Sequence, residues 1–335
     1  MNWLLVGASN VAQEWIISAI RAVGDEVTGI VSNDLVRAQD FARKQNIQKF
    51  SHDLKHALYD NEVDAVYISS ANSLHAEQAM IALKAKKHVM CEKPMALSIS
   101  DAQQMIEQAK IHQVILAVNY HLRNSAVIQK IRELIANNCI GEVQNIRFCH
   151  AVSLPKNLQS WRIHTPSEGG VILDITVHDI DTLRFLLNDE PISVSAMAQT
   201  GVLSPNNVPE TVMGTIEFAK GALVSFYDSF TAQYFQTSID IIGSKGNLQA
   251  SNTLTQHAIG ELHLNNDKGC QRIPIEHHNL YVSSFQQFKN AIQNRGRPAA
   301  TAYDGLRSLE IALAIQQAIE NKKHISLNLG ESLCF

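Results

Sequence analysis

LLVGASNVA, Leu4 to Ala12, runs an apolar stretch into a glycine and then into small residues that open a helical pattern. A buried strand that turns into a helix over such a glycine offers backbone N–H groups and the positive end of the helix dipole, and a pyrophosphate suits both. The turn is an imperfect GxGxxG: Gly7 supplies the bend, Ser9 stands at the second glycine position and Ala12 at the third. From these residues alone an ordinary strand-to-helix turn with Ser9 or Asn10 as N-cap reads equally well. The rest of the first half favours the nucleotide reading, because it continues as a strand–helix series.

The runs Trp3 to Val6, Val27 to Val31, Ala65 to Ser69, His88 to Cys91 and Val114 to Val118 read as strands. Between them Val11 to Ala22, Leu35 to Gln45, Leu74 to Ala85 and Ser100 to Lys110 carry apolar residues at spacings of three and four, the helical period. Alternation of this kind implies a parallel, doubly wound α/β sheet, a Rossmann domain over residues 1–120. After a helix at Ala126 to Ala136 the pattern changes to β-rich runs: Val143 to Ala151, Ile192 to Ala198, Thr211 to Phe218, Ala222 to Phe230 and Ser238 to Ile242. They imply an α+β domain over residues 121–335, built on an antiparallel or mixed sheet with one long inserted helix, Leu173 to Leu187. Gly243-Ser244-Lys245-Gly246 reads as a turn between strands, Leu203 to Pro209 as an exposed loop, and Gly305 to Glu320 as a final helix.

A chain of 335 residues suits two domains, and a net charge of −4 leaves no basic footprint for nucleic acid. Five cysteines without a CxxC pair point to reduced thiols and a cytoplasmic protein. No signal-peptide pattern opens the chain and no window reaches the roughly 18 apolar residues of a membrane span, so no membrane partner is expected.

Two further stretches carry chemistry. The second strand ends in GIVSNDLVR, where Ser32 and Asn33 take the place of the acid that usually binds a ribose 2′-hydroxyl, with Arg37 a helical turn beyond. Ser32 and Arg37 could bind a 2′-phosphate, which favours NADP; Asp34 could instead face the ribose, or pair with Arg37 in solvent. The stretch VMCEKPMAL brings Glu92, Lys93 and Pro94, a candidate for a cis bond, to a strand end at the ligand-binding edge of the sheet. An ammonium there can stabilise an alkoxide forming during hydride delivery, although a surface ion pair would be spelled the same way.

In EGGVILDITVHDIDTLRFLL, Glu168 to Leu187, Asp174, His178 and Asp181 recur at intervals of four and three on one helix face. A histidine between carboxylates is a fair general acid. A capping cluster is the structural alternative. A metal is not expected, since no further histidine completes a ligand set.

The GASNVA turn, Asn72 through His75, HVMCEKPMAL, YHLRN at Tyr120 to Asn124 and GGVILDITVHDIDTLRFLL together resemble the glucose-fructose oxidoreductase / inositol dehydrogenase family, Gfo/Idh/MocA, and HAVSLPKNLQSWR at His150 to Arg162 resembles a keto-sugar reductase branch within it. The resemblance implies an open, largely antiparallel sheet in the second domain, which could also join copies into a homo-oligomer, and NADPH-dependent reduction of a keto sugar. Lys93, His178 and Asp174 take the catalytic positions. Cofactor contacts are implied for the turn Gly7, Ala8, Ser9, Asn10, Val11 and Ala12, and for Ser32, Asn33 and Arg37. They are implied equally for Ser70, Asn72, His75, Glu92, Lys93 and Asn119, and for Trp161, Arg162 and Tyr281. By themselves Trp161 would read as packing, Arg162 as solvated and His75 as a capping residue. A dehydrogenase of another sugar or of inositol is the alternative within the same class, and a non-catalytic NADP(H) sensor the alternative outside it.

Overall fold

The computed structural model describes residues 1–59 and 62–328. The described residues form two compact units: Met1–His121 with Asn279–Leu309, and Leu122–His278 with residues 310–328.

The first unit holds six parallel strands, β1 (Asn2–Val6), β2 (Glu26–Val31), β3 (Lys49–Ser51), β4 (Ala65–Ile68), β5 (His88–Cys91) and β6 (Leu116–Val118), in the order β3-β2-β1-β4-β5-β6. The order reverses between β1 and β4, which opens the crevice where such sheets take ligands. Every residue of β4 is buried, as a central strand covered on both faces requires. The expected strands and helices are present, with β6 starting at Leu116 rather than Val114. β3 and the helix Leu54–Leu58 have no counterpart in the sequence reading, because three and five residues are too short to display a period.

A larger correction concerns Asn279–Leu309, assigned by sequence to the second domain but packed in the first unit. Its helix Leu280–Ile292, also unforeseen, sets Phe285 edge-on to Trp3 at 5.0 Å and Phe288 at 5.4 Å from the same ring. Lys289 reaches the buried Asp25 at 2.6 Å, and Val118 N–H donates to Ala300 O at 3.3 Å. The driving force is burial of the β1 core, and a distant segment that covers a core leaves no local mark in the sequence.

In the second unit nine strands form one sheet: β7 (Val143–Ala151), β8 (Pro191–Gln199), β9 (Thr211–Phe218), β10 (Leu223–Ser229), β11 (Ser238–Gly243), β12 (Asn247–Ser251), β13 (Glu261–Asn266), β14 (Gly269–Ile273) and β15 (Ile325–Ser326). The order is β14-β13-β12-β11-β7-β10-β9-β8-β15, antiparallel except for the β7–β10 pair. Ile146, Phe148, Val224, Phe226, Ile239, Ile241 and Leu248 are buried on one face, while Met213, Leu223 and Ser225 on the other are exposed. The helix Val177–Leu187 is buried along almost its whole length and packs against the helix Ala126–Ala136.

The loop Leu203–Pro209 is less exposed than expected: Ser204 and Val208 are buried. Glu210, itself buried, accepts from the N–H groups of Val202, Leu203 and Ser204, and Ser204 Oγ donates to Ile163 O at 2.7 Å. A carboxylate that gathers three backbone donors fixes a loop that composition alone assigns to solvent. Cys91, Cys139, Cys149 and Cys270 are free thiols, and Cys334 lies outside the described residues. Among the described residues no helix is long and apolar enough to cross a membrane.

Candidate active site

The first unit gathers the expected nucleotide residues along the carboxyl ends of its strands. Gly7 has φ of +104°, and a Cβ there would lie 2.7 Å from Ser69 C and Ser70 N, so only glycine lets β1 and β4 approach at this point. Its N–H donates to Val31 O, while Ser69 N–H donates to Val6 O, both at 2.8 Å. Ser9 Oγ lies 2.8 Å from Ser69 Oγ and accepts from Ala12 N–H at 3.2 Å. Ser9 thus performs the capping role and still lines the turn; Ala8 and Ala12 are buried, Asn10 exposed and Val11 half-buried. The helix opens with a π turn, Ala12–Ile16, before continuing as Ile17–Ala22.

At the end of β2, Ser32 is buried and Asn33 exposed. Arg37 Nη2 donates to Ala8 O at 2.7 Å, so its guanidinium stands over the β1 turn. Asp34 caps the helix Leu35–Gln45, its Oδ1 accepting from Val36 N–H at 2.8 Å and Arg37 N–H at 3.2 Å. That task explains an acid at this position without a ribose.

Beyond β4, Ser70 Oγ donates to Gln78 Oε1 at 2.6 Å, and Asn72 is buried. His75 caps nothing. It is 1 % exposed, with Nδ1 at 2.8 Å from Pro94 O and Nε2 at 3.2 Å from Ser70 O, and burial lowers its pKa. The ring braces the end of β4 against the segment after β5, next to Lys93. The Lys93–Pro94 bond is cis, as the sequence suggested.

Glu92 Oε1 accepts from the buried Tyr67 hydroxyl in a short contact and from Asn119 Nδ2 at 2.8 Å. Burial and then the Glu92 charge push the Tyr67 hydroxyl well above its ordinary pKa, so it stays a donor. Asn119 is 1 % exposed, and its Oδ1 meets no hydrogen-bond donor among the described residues. Tyr281, buried at the start of its helix, stacks between Trp15 (5.6 Å) and His121 (4.9 Å). Trp15, His121 and Tyr67 were missed by sequence reasoning; only the helical register of Trp15, four residues beyond Val11, hinted at a shared face.

These features fit a nicotinamide dinucleotide: the Gly7 approach leaves the turn open to a pyrophosphate, and Asn119 Oδ1 is a buried acceptor that a carboxamide N–H would satisfy.

The second unit holds Trp161, Arg162, Asp174 and His178. Gly169 packs so tightly on the helix Trp161–His164 that a Cβ would lie 2.7 Å from Trp161 O and Arg162 O, and Gly170 N–H donates to Arg162 O at 2.8 Å. That contact aims Arg162 at Asp174: Nε donates to Oδ2 at 2.9 Å, with the guanidinium 4.5 Å from the centre of the Trp161 ring. Asp174 lies in a π turn, Ile172–Thr176, and His178 in the α-helix that follows. Asp181, on the same face by spacing, serves structure instead, in a buried two-pronged pair with Arg123 at 2.7 Å for each contact. The arrangement offers an Arg-held carboxylate and an imidazole one turn on.

Comparison with known proteins follows the same division. Residues 1–120 match the family model described as an oxidoreductase family with NAD-binding Rossmann fold, and residues 128–249 match the GFO/IDH/MocA C-terminal domain. The 1,5-anhydro-D-fructose reductase of Ensifer adhaerens is 40% identical over 330 residues, 98% of this chain and 99% of the relative. The myo-inositol 2-dehydrogenase of Thermotoga maritima is 27% identical, covering 87% of this chain and 88% of that one. Among solved structures, aldose-aldose oxidoreductase from Caulobacter crescentus superposes with a TM-score of 0.89 at 21% identity, over 98% of this chain and 99% of the other, a likeness of fold.

Proposed function

The chain belongs to the Gfo/Idh/MocA oxidoreductase family, and we propose that it is an NADPH-dependent reductase that converts 1,5-anhydro-D-fructose to 1,5-anhydro-D-mannitol. The observation that carries this reading is the 40% identity to the Ensifer reductase over nearly the full length of both chains.

When bound, the nicotinamide supplies the hydride that reduces the carbonyl carbon. The turn Gly7–Ala12 would hold the pyrophosphate through backbone N–H groups, and Asn119 Oδ1 would accept from the carboxamide. Ser32 and Arg37 would take the 2′-phosphate, which is compatible with Asp34 being engaged as a helix cap. Lys93 donates to the carbonyl oxygen and stabilises the charge that grows there. His178 delivers or relays the proton. Asp174, held by Arg162, orients His178 or a substrate hydroxyl.

The test is a panel of keto sugars and polyols with NADPH and NADH, read by cofactor absorbance and product configuration. We expect turnover of 1,5-anhydro-D-fructose to the mannitol epimer, with NADPH preferred by a charge-assisted contact of about 1.5–3 kcal/mol. A glucitol product, or an NADH preference, refutes the corresponding part. Brisk oxidation of a polyol without ketone reduction would favour the dehydrogenase reading that the inositol-acting relative supports. Tight NADPH binding with no turnover would favour a sensor.

Free thiols support a reducing, cytoplasmic setting. The exposed Met197, Met213 and Leu223 on the second sheet support self-association through that face, which light scattering would read as a mass above 37.1 kDa.

A further inference from the structure

A cluster of titratable side chains in the second unit takes no part in the chemistry above. His150 on β7 and Asp228 on β10 stand directly opposite each other across the parallel strand pair, two residues beyond the buried Phe148 and Phe226 and therefore on the same face. Asp179, from the helix Val177–Leu187, accepts from His150 Nδ1 at 2.8 Å. Asp228 is 0 % exposed. Its polar neighbours include Asp179 and Thr176, yet neither of its oxygens meets a partner at full hydrogen-bond geometry. Thr176, also fully buried, closes the π turn and lies between Asp174 and His178 in the chain.

Two carboxyl groups close together in a dry site resist ionising together, and a proton kept on one of them relieves the repulsion. Burial first, and the Asp179 charge second, push the Asp228 carboxyl well above the ordinary carboxylate range, with Thr176 and His150 opposing. On the same face β7 contributes His150, and β9 sets the apolar Val212 opposite. Cys149, one residue from His150 and so on the other face of the sheet, has its thiol pushed up to about 11 by burial and by Asp228. Among the described residues no set of three or more His, Cys, Asp or Glu is arranged to hold a metal ion.

We propose that Asp228 is a positioning residue for the reaction: buried opposite His150, its carboxyl shares one proton with Asp179 and so fixes where Asp174 and His178 point. The link runs from Asp228 across the strand pair to His150, from His150 to Asp179, and from there along the helix to both candidate reacting groups. A neutral donor suits this place better than a second anion, which would repel Asp179 and open the helix from the sheet.

The inference rests on the assignment of Asp174 and His178 as reacting groups, and the test separates the two. Difference infrared spectroscopy of the full-length protein should show a buried protonated-carboxyl stretch that Asp228→Asn removes. Its absence from the wild type overturns the shared proton, whatever the enzyme reduces. Asp228→Ala should lower kcat roughly 10- to 100-fold, the cost of a small misplacement, while the affinity for NADPH read by fluorescence stays unchanged. Asp228→Asn keeps a neutral donor and acceptor. It should recover most of kcat and carry the alkaline limb of the kcat–pH profile upward, because no carboxyl remains to ionise beside Asp179. An Asn variant as impaired as the Ala variant with an unmoved alkaline limb, or an Ala variant with wild-type kcat, overturns the positioning role. Should the Ala variant not fold, the infrared band and pH limb of the Asn variant decide. A fully active His178→Ala enzyme would refute the assignment of His178 as a reacting group instead and leave the infrared result standing.

Discussion

Asp174, Asp179 and Asp181 lie within eight residues of one another and do three different things. Asp174 is half-buried and held by Arg162; Asp179 pairs with His150; Asp181 is sealed against Arg123. Spacing put Asp174 and Asp181 on one face, yet the partner, which comes from elsewhere in the chain, decides whether a carboxylate is left for chemistry. Place separates the lysines too: Lys289 pairs with Asp25 beneath the first sheet, whereas Lys93 stands at the carboxyl end of β5. We expect Lys93→Met and His178→Ala each to lower turnover by a factor of about 10² to 10³, the cost of losing one preorganised donor, with NADPH affinity nearly unchanged. Single-turnover rates alongside fluorescence titration check this. A Lys93→Met enzyme with near-normal hydride transfer would return that lysine to the role of a surface ion pair.

At the level of elements, two of the helices that carry candidate site residues begin with a π turn, Ala12–Ile16 after Gly7 and Ile172–Thr176 after Gly170. Val177 N–H reaches back five residues to Ile172 O. Val171, Ile172, Ile175, Thr176 and Val177 are β-branched, which lowers the propensity for a regular α-helix here. The sequence showed helices at both places and the apolar period within them, but a one-residue change of hydrogen-bond register lies below what periodicity resolves. Caps escaped it as well: Asp34, Asp53, Ser98 and Asn279 each accept from the first turn of a helix. Asp34 gives a clean separation of structure from specificity. Asp34→Ala should destabilise the protein by about 1 kcal/mol through the lost cap. It should leave the ratio of NADPH to NADH efficiency unchanged, measured by urea unfolding and by steady-state kinetics respectively. A large swing of that ratio would show that the acid reads the ribose after all.

For the whole molecule, the first unit depends on two distant pieces of chain. Asp25, its side chain fully buried, binds the Met1 amino group at 2.9 Å, Trp3 Nε1 at 3.2 Å and Lys289 Nζ at 2.6 Å, joining the start of the sheet to the helix Leu280–Ile292. Burial works to raise the Asp25 pKa, but the hydrogen bonds from Lys289, the amino terminus and Trp3 outweigh it, so the folded carboxyl lies below its ordinary value. A carboxyl depressed in the folded state contributes stability that is present above its unfolded pKa and is lost as pH falls through the folded one. Wild-type stability should therefore decline from about pH 5 downward more steeply than that of Asp25→Asn. At neutral pH the variant should be less stable by about 3 kcal/mol, because Lys289 loses its partner. Thermal unfolding across that pH range checks both, and parallel acid limbs would remove Asp25 from the account.

The sequence by itself determined the parallel sheet, the alternation of its strands with helices, the glycine turn at Gly7, and the place of Lys93, Asp174 and His178 on a strand end and a helix. Each is written in local pattern: a period of two or 3.6, a glycine where φ must be positive, a spacing of four. Only the tertiary structure decided that Asn279–Leu309 completes the first unit, that Arg162 holds Asp174, that His75 braces Pro94 instead of capping a helix, and that Asp228 lies sealed beside Asp179. Those outcomes depend on which distant side chains arrive at one point and on how much water they exclude. Hydrogen-bond partners and burial, which fix what a charged group can do, are properties of that meeting and have no spelling along the chain.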